Sequence, residues 1–84
     1  MEWHLKYKKD AYRFLFQHSL LAKFEKELIA LLKREKTPHI KKLRGDLEGH
    51  YRLRIGKVRV IFKIDFFSRI IYVKKADFRG NIYK

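Results

Sequence analysis

The stretch YRLRIGKVRVIF, residues 51–62, predicts a two-stranded hairpin that places two arginines face to face. Gly56-Lys57 separates two runs of alternating apolar residues, which is the pattern of a two-residue type II′ turn. A turn at this position pairs Arg54 with Arg59 in the neighbouring strand. Since side chains alternate between the two sides of a strand, one face of the hairpin is apolar and the other basic.

The two predicted faces have different consequences. The apolar face carries Tyr51, Leu53, Ile55, Val58, Val60 and Phe62, and the open face carries Arg52, Arg54, Arg59, Ile61 and Lys63 as exposed residues. Like charges directly opposite each other destabilise a sheet, so the arginine pair favours an anion bound between them. Two solvated arginines splayed apart are the alternative. In the predicted register, removal of Arg59 relieves the like-charge pair, so we expect the fold to stay as stable as before or to become slightly more stable.

Composition predicts one small domain spanning residues 1–84, because the chain is too short for a second core. The sequence is 46% hydrophobic and 15% aromatic, which is sufficient for folding. It has no cysteines, lacks the apolar segment of a signal peptide at its start, and contains no uncharged membrane-spanning run. We therefore expect a cytoplasmic protein with no membrane partner.

Positive charge is concentrated in the part of the chain that contains the hairpin. The formal net charge is +13; residues 1–35 have 8 basic and 5 acidic side chains, giving +3, and residues 36–84 have 14 and 4, giving +10. A folded domain with this asymmetry is typical of proteins that bind a polyanion, most often nucleic acid.

The remaining pattern predicts an α+β fold. The predicted elements are a strand at residues 3–7, helices at 10–17 and 19–36, a loop at 37–50, and three further strands that include the hairpin. Asp10 and Ser19 are the expected N-caps. The fold class is therefore an antiparallel sheet of about four strands, in the order β-α-α-β-β-β, with both N-terminal helices packed on one face.

The last strand determines how far the basic row extends. A turn at residues 65–68 leads into a register that pairs Phe62 with Ile71, which keeps the apolar face continuous. The same register places Lys74 opposite Arg59 and predicts a row of basic side chains across three strands. A bulge in this part of the sheet would break the row.

The segments KKLRGDLEGHYRLRIGKVRVIFKID, residues 41–65, and FRGNIY, residues 78–83, occur in this order. With them the chain resembles the RelE/ParE toxin superfamily over nearly its whole length. The resemblance implies a toxin of a type II toxin–antitoxin system: the RelE branch cleaves mRNA in the ribosomal A site, and the ParE branch inhibits DNA gyrase. By motif position it assigns catalytic roles to Arg52, Arg54, Arg59, Arg79 and Tyr83.

Two departures from the family pattern bear on the branch. Arginines occupy strand positions that are lysines in some RelE-type nucleases, and Phe78 stands where a histidine usually precedes the closing arginine. Both departures favour the ParE branch. The arginine row, Arg79 and Tyr83 favour the RelE branch.

RNA cleavage without a metal requires a base for the ribose 2′-hydroxyl, an acid for the leaving oxygen and cations for the phosphate. Arginine supplies the cation but is a poor base, because it stays protonated. His50 and Glu48 are the candidate acid or base residues. Further RNA-binding positions are expected at Lys41, Lys42, Arg44, Lys63 and Lys74.

The resemblance, together with the arginine row, Arg79 and Tyr83, implies a ribosome-dependent mRNA endoribonuclease that inhibits translation and arrests growth. No cofactor is expected, and no metal site, because His4, His18 and His39 lack partners at ligand spacing. The expected partners are mRNA on the ribosome and a cognate acidic antitoxin. A gyrase inhibitor without nuclease activity and a non-catalytic basic RNA-binding module remain alternatives.

Overall fold

The computed structural model describes residues 2–83 and shows two helices packed on one face of a five-stranded sheet. Its elements are β1 (His4–Tyr7), α1 (Lys9–Gln17), α2 (Leu21–Leu32), β2 (Ile40–Lys42), a 3-10 turn (Gly45–Leu47), β3 (His50–Ile55), β4 (Val58–Asp65) and β5 (Ile70–Phe78). The strand order is β1-β5-β4-β3-β2. The α+β class is confirmed, but the sheet is mixed rather than antiparallel, because β1 and β5 run parallel. Neither helix within residues 2–83 is long and apolar enough to span a bilayer.

The hairpin of β3 and β4 has the expected register. Arg54 lies opposite Arg59, and Leu53 lies opposite Val60. Gly56 has a φ of +58°, a conformation that glycine adopts without steric cost. A positive φ confined to the first turn residue is that of a type II′ turn.

The main core lies between the helices and the inward face of the sheet. Phe62 is fully buried at its centre, with its ring 5.8 Å from that of Phe24 on α2 and 5.6 Å from that of Tyr51. The other fully buried side chains of this core are Leu15, Leu28, Leu53, Val60, Ile71 and Val73. Hydrophobic burial of this face therefore orients the opposite, basic face outward.

Ser19 ends the first helix and does not cap the second, so that part of the prediction is wrong. Its φ is +56°, and its N–H donates to Phe16 O at 3.1 Å. The next N–H, of Leu20, donates to Leu15 O at 2.8 Å. This pair of bonds is a Schellman motif, which satisfies carbonyls that the end of a helix leaves free. Asp10 is not a cap either, since it lies in the first turn of α1.

The second helix ends at Leu32 rather than at residue 36. Arg34 adopts a φ of +60°, and its N–H donates to Leu31 O at 3.0 Å. Glu35 N–H donates to Ala30 O at the same distance. A second Schellman motif therefore stops this helix one turn early, although no glycine marks the position.

The segment predicted as a loop at residues 37–50 contains the edge strand β2. Ile40 lies opposite Leu53 and Lys41 opposite Arg52. This strand is only three residues long, and Pro38 and Gly45 flank it. Its apolar and polar residues are too few to show the period of two that identifies longer strands.

The predicted register of β5 is wrong, because a bulge interrupts the pairing. Phe62 lies opposite Val73, not Ile71, and the register shifts between Ile61 and Phe62. Lys74 consequently has no direct partner on β4, so the basic row does not extend to it. A β-bulge inserts one unpaired residue and turns the residues beyond it to the other face.

The open face of the sheet is more covered than predicted. Ile61 and Arg59 were expected to be exposed, but they are only 5% and 7% exposed. Ile82 is also buried and, like Ile61, lies outside the main core. Tyr83 lies close enough to Arg59 to act on it electrostatically. The segment after β5 therefore folds back over this face and shields part of it from water.

Asp65 stabilises the loop between β4 and β5 through its side chain. Its Oδ1 accepts hydrogen bonds from Phe67 N–H at 3.0 Å and Ser68 N–H at 3.1 Å. Hydrogen bonds from Ser68, and then from Phe67, lower the pKa of Asp65 because they favour the ionised form. The stabilisation is therefore present above the pKa of the unfolded chain, about 3.9, and is lost as the pH falls further.

We expect Asp65→Asn to lower the melting temperature at pH 7 and to have a smaller effect at pH 2, because protonation of the wild-type carboxylate increases as the pH falls below the ordinary pKa of aspartate. Thermal melts at the two pH values measure this difference. Asp46→Asn, in the exposed 3-10 turn, is the matched control. An equal loss at both pH values would contradict the assignment.

Candidate nucleic-acid interface

A cleft at the turn end of the hairpin collects side chains from distant parts of the chain; we call it the arginine cleft. It is lined by Lys23 and Glu27 from α2, His39, Arg54, Ile55, Gly56, Arg59 and Arg79. On its other side, Arg59 and Arg79 border a second depression together with Lys57 and Gly80. Three of the arginines that the family resemblance singled out therefore meet at one place.

Arg59 is the buried arginine of this cleft. Its Nη1 donates to Gly56 O at 2.8 Å and to Val58 O at 3.0 Å, which fixes the guanidinium beneath the turn. Arginine has five N–H donors, so these two bonds leave others available for a ligand. The main-chain contacts thus pre-orient a cation without neutralising it.

Among residues 2–83, the charge of Arg59 is not balanced by a carboxylate. Desolvation lowers its pKa most, followed by the nearby positive charges of Arg52, Arg79 and Arg54. Asp77 lies directly across the sheet from Arg59. However, its Oδ1 accepts the Phe78 N–H at 2.7 Å, and it does not contribute to the shift of Arg59. The cleft is therefore a site of concentrated positive charge.

Arg54 stands at the exposed wall of the cleft. Its main-chain N–H donates to His39 O at 2.9 Å, and its Nη2 lies 3.0 Å from His39 Nδ1. The segment that precedes β2 thus binds the end of β3 by two hydrogen bonds. One of these positions the Arg54 guanidinium opposite Arg59.

Arg79 and Tyr83 reach the cleft from the segment after β5. The Arg79 N–H donates to Lys57 O at 2.8 Å, which attaches this segment to the hairpin turn. Tyr83 is 56% exposed and lies close enough to Arg59 to interact with it electrostatically. Both residues are therefore accessible at the rim of the arginine cleft.

A second cleft lies at the other end of β3; we call it the loop cleft. It is lined by Lys41, Lys42, Leu43, Arg44, Gly45, Glu48, Gly49, His50 and Tyr51. Five residues that the sequence selected therefore meet here, namely the candidate acid–base residues His50 and Glu48 and three of the RNA-binding positions. These five residues lie together in the structure, but at the end of β3 that is far from Arg59.

The two clefts are too far apart to act on one phosphate. His50 and Arg54 are separated by four residues of one strand, which is about 13 Å at a rise of about 3.3 Å per residue. Arg52 lies between them on the same face. His50 Nδ1 and Arg52 Nε are both buried without a hydrogen-bond partner among residues 2–83. His50 is therefore poorly placed as a base for a phosphate held by Arg59 and Arg79.

Comparison with known proteins identifies the fold family. No protein-family model matches the chain. It is 44% identical over 70 residues to a curated protein of Methanocaldococcus jannaschii named as toxin RelE1, covering 79% of this chain and 76% of the relative. The chain belongs to the RelE toxin superfamily.

Solved structures agree with this assignment. The archaeal RelE–RelB complex from Pyrococcus horikoshii matches with a TM-score of 0.60 and 26% identity, covering 96% of this chain and 99% of that one. The toxin–antitoxin complex RelBE2 from Mycobacterium tuberculosis matches with a TM-score of 0.58 and 24% identity, covering 94% and 100%. The second likeness shows the fold alone.

Phe78, at the position where members of the RelE superfamily usually have a histidine, faces the helical layer in this chain. Its ring centroid is 5.2 Å from that of Phe14, on α1, and 5.3 Å from that of His18, which directly follows α1. The edge-to-face packing of these rings is a structural contact. Phe78 therefore borders the depression beside the arginine cleft and contributes no titratable group.

The last two predicted RNA-binding positions lie in neither of these clefts. Lys63 is exposed on β4, and the Lys74 ammonium lies 5.3 Å from the Tyr72 ring centroid, a cation–π contact. Both border a depression near the β4–β5 loop, together with Phe66. They extend the basic surface but are not part of the arginine cleft.

Three residues of the arginine cleft were missed by the sequence analysis: His39, Glu27 and Lys23. His39 was set aside because it has no ligand partners nearby in sequence. Its real neighbour, Arg54, is fifteen residues away and is brought to it by β2. The sequence offered no signal for this contact, because it depends on the short strand Ile40–Lys42, which places His39 at the end of β3.

Proposed function

We propose that this chain is the toxin of a toxin–antitoxin pair and acts as a ribosome-dependent mRNA endoribonuclease. The observation that carries the proposal is the burial of Arg59 among Arg52, Arg54 and Arg79, with no compensating carboxylate in the part of the chain that the structure describes. Such a cluster is costly in a folded protein unless an anion binds there. A phosphodiester is an anion of the right shape, because guanidinium groups bind its oxygens in pairs.

The geometry supports phosphate stabilisation more than proton transfer. Attack by a ribose 2′-hydroxyl increases the negative charge on the phosphate oxygens, and fixed cations stabilise that charge best where water is partly excluded. Arg59 is fixed by the main chain, and Arg54 by His39. No arginine of the cleft is a good base. The ribosome would therefore supply much of the orientation of the RNA for attack.

We further propose a cognate acidic antitoxin as the partner. With a net charge of +13, this chain should attract an acidic protein over long distances. The solved structure from Mycobacterium tuberculosis is a toxin–antitoxin complex, and that from Pyrococcus horikoshii is a RelE–RelB complex. We expect the co-purified partner to be acidic and to shield Arg59. A basic partner, or one that contacts only the helices, would argue against this.

Expression of the chain without its partner should arrest growth of the host cells. The proposed site of action is the cytoplasm, where translating ribosomes are found. Mapping of new RNA 5′ ends should show cuts inside reading frames, and purified naked mRNA should be cut much less. Intact mRNA together with double-strand breaks in DNA would instead support the gyrase-inhibitor branch. Growth arrest with neither lesion would support a non-catalytic RNA-binding module.

A further inference from the structure

His39 is bonded to the exposed arginine of the cleft in a way that depends on its own protonation. Arg54 Nη2 lies 3.0 Å from His39 Nδ1. Arginine can only donate hydrogen bonds, so Nδ1 must be the acceptor, and a neutral ring then carries its proton on Nε2. A second proton, on Nδ1, would direct one N–H group against another. This hydrogen bond therefore exists only with neutral His39.

When that hydrogen bond is absent, electrostatic repulsion favours movement of the Arg54 guanidinium away from the cleft wall. It lies directly opposite Arg59, and the two positive charges repel each other. Its side chain is exposed and has a long flexible stem. His39 is the side chain of residues 2–83 to which the Arg54 guanidinium is hydrogen-bonded. The imidazole thus opposes the repulsion and keeps the guanidinium at the cleft wall.

The groups that face His39 come from every side of the cleft. Lys23 and Glu27 lie on α2, Arg54 on β3, Arg59 on β4, and Arg79 follows β5. A proton gained by His39 therefore adds a positive charge to a wall that already has four cations and one carboxylate. The nearest of these cations is the Arg54 guanidinium itself.

We propose that His39 is a positioning residue for Arg54, and that its protonation releases Arg54 and weakens RNA cleavage in acid. The part that concerns cleavage rests on the proposed nuclease function. The dependence of the Arg54–His39 hydrogen bond on His39 protonation does not rest on that function. Since a proton on Nδ1 decides whether the bond to Arg54 can form, a change of pH is the direct test.

The test uses three variants of the full chain on programmed ribosomes under single-turnover conditions. His39→Gln keeps a side-chain oxygen that can accept from Arg54 but cannot titrate, and His39→Ala removes the acceptor. His4→Gln, at an exposed position on β1, is the matched control. Because ribosomes also change with pH, each rate is divided by that of His4→Gln at the same pH.

At pH 8 we expect cleavage by His39→Gln to stay within about 3-fold of the control and cleavage by His39→Ala to fall about 10-fold, since misplaced groups slow a reaction. As the pH is lowered to 5, the rate of the wild type relative to the control should stay constant, because both proteins keep His39. The relative rate of His39→Gln should rise, because this variant keeps its bond to Arg54. A His39→Gln variant about 10²-fold slower at pH 8 would overturn the proposal, because the ring would then be the general base. Equal rates and pH profiles for all variants would also overturn it.

The free protein provides a readout that does not need nuclease activity. The NMR signals of the Arg54 guanidinium should shift as the pH is lowered in the wild type and in His4→Gln, and should stay constant in His39→Gln. Absence of that shift in the wild type would overturn the inference. Absence of mRNA cleavage by the wild type at every pH would overturn the nuclease proposal and leave the Arg54–His39 inference to be decided by NMR.

Discussion

Arg59→Ala is expected to abolish growth arrest and to slow mRNA cleavage by about 10²-fold or more, as does the loss of one donor from an oxyanion site. The variant removes the buried cation on which the other arginines of the cleft converge. Arg59→Lys should recover only part of the rate, because an ammonium group cannot hold two phosphate oxygens in the manner of a guanidinium. Cleavage rates on programmed ribosomes measure the effect.

The same variants separate catalysis from folding. Arg59→Ala loses two hydrogen bonds to Gly56 and Val58 but also loses repulsion from neighbouring arginines. We therefore expect the free energy of unfolding to fall by no more than about 1–2 kcal/mol. Arg13→Ala, an exposed arginine on α1, is the control for loss of charge and should be active. An active Arg59→Ala variant, or one that is largely unfolded, would contradict the anion-site interpretation.

Phe62→Ala should lower the free energy of unfolding by about 3–5 kcal/mol, because truncation of a fully buried aromatic residue loses burial and leaves a cavity. Domains of this size have about 4–13 kcal/mol in total, so much of the protein would be unfolded at moderate temperature. Urea denaturation followed by circular dichroism measures the change.

Phe67→Ala is the matched control for this variant. The Phe67 side chain is 99% exposed in the β4–β5 loop, and the change should alter the free energy of unfolding by less than about 0.5 kcal/mol. Similar losses in both variants would show that the core is not organised around Phe62.

The hairpin could be predicted from sequence because local rules decide it. Alternation assigned each side chain to a face, and Gly56 marked the turn, so the pairing of Arg54 with Arg59 followed. The predicted extension of the basic row to Lys74 was wrong, because a bulge depends on packing between residues that are distant along the chain. The helix ends at Ser19 and Arg34 were not predicted correctly for a related reason. Neither residue is the glycine that usually adopts a positive φ at the end of a helix.

The candidate site was predictable in composition but not in arrangement. The sequence selected Arg54, Arg59 and Arg79, and the structure brings them together. It could not show that Arg59 is buried and bonded to the turn, so the expectation that its removal would be neutral or stabilising no longer follows. It also could not separate His50 from these arginines or bring His39 to Arg54, because both depend on the position of β2.

The parallel pairing of β1 with β5 has a consequence for synthesis of the protein. Among the strands of residues 2–83, β1 pairs with β5 alone, and its partner residues come about 66 residues later, since His4 lies opposite Ile70. Contacts of such long sequence separation form late, after local helices and hairpins. Arg79 and Tyr83 come later still in the chain. A nascent chain on the ribosome thus cannot complete the sheet or assemble its arginine cleft until nearly all of the residues described above have emerged.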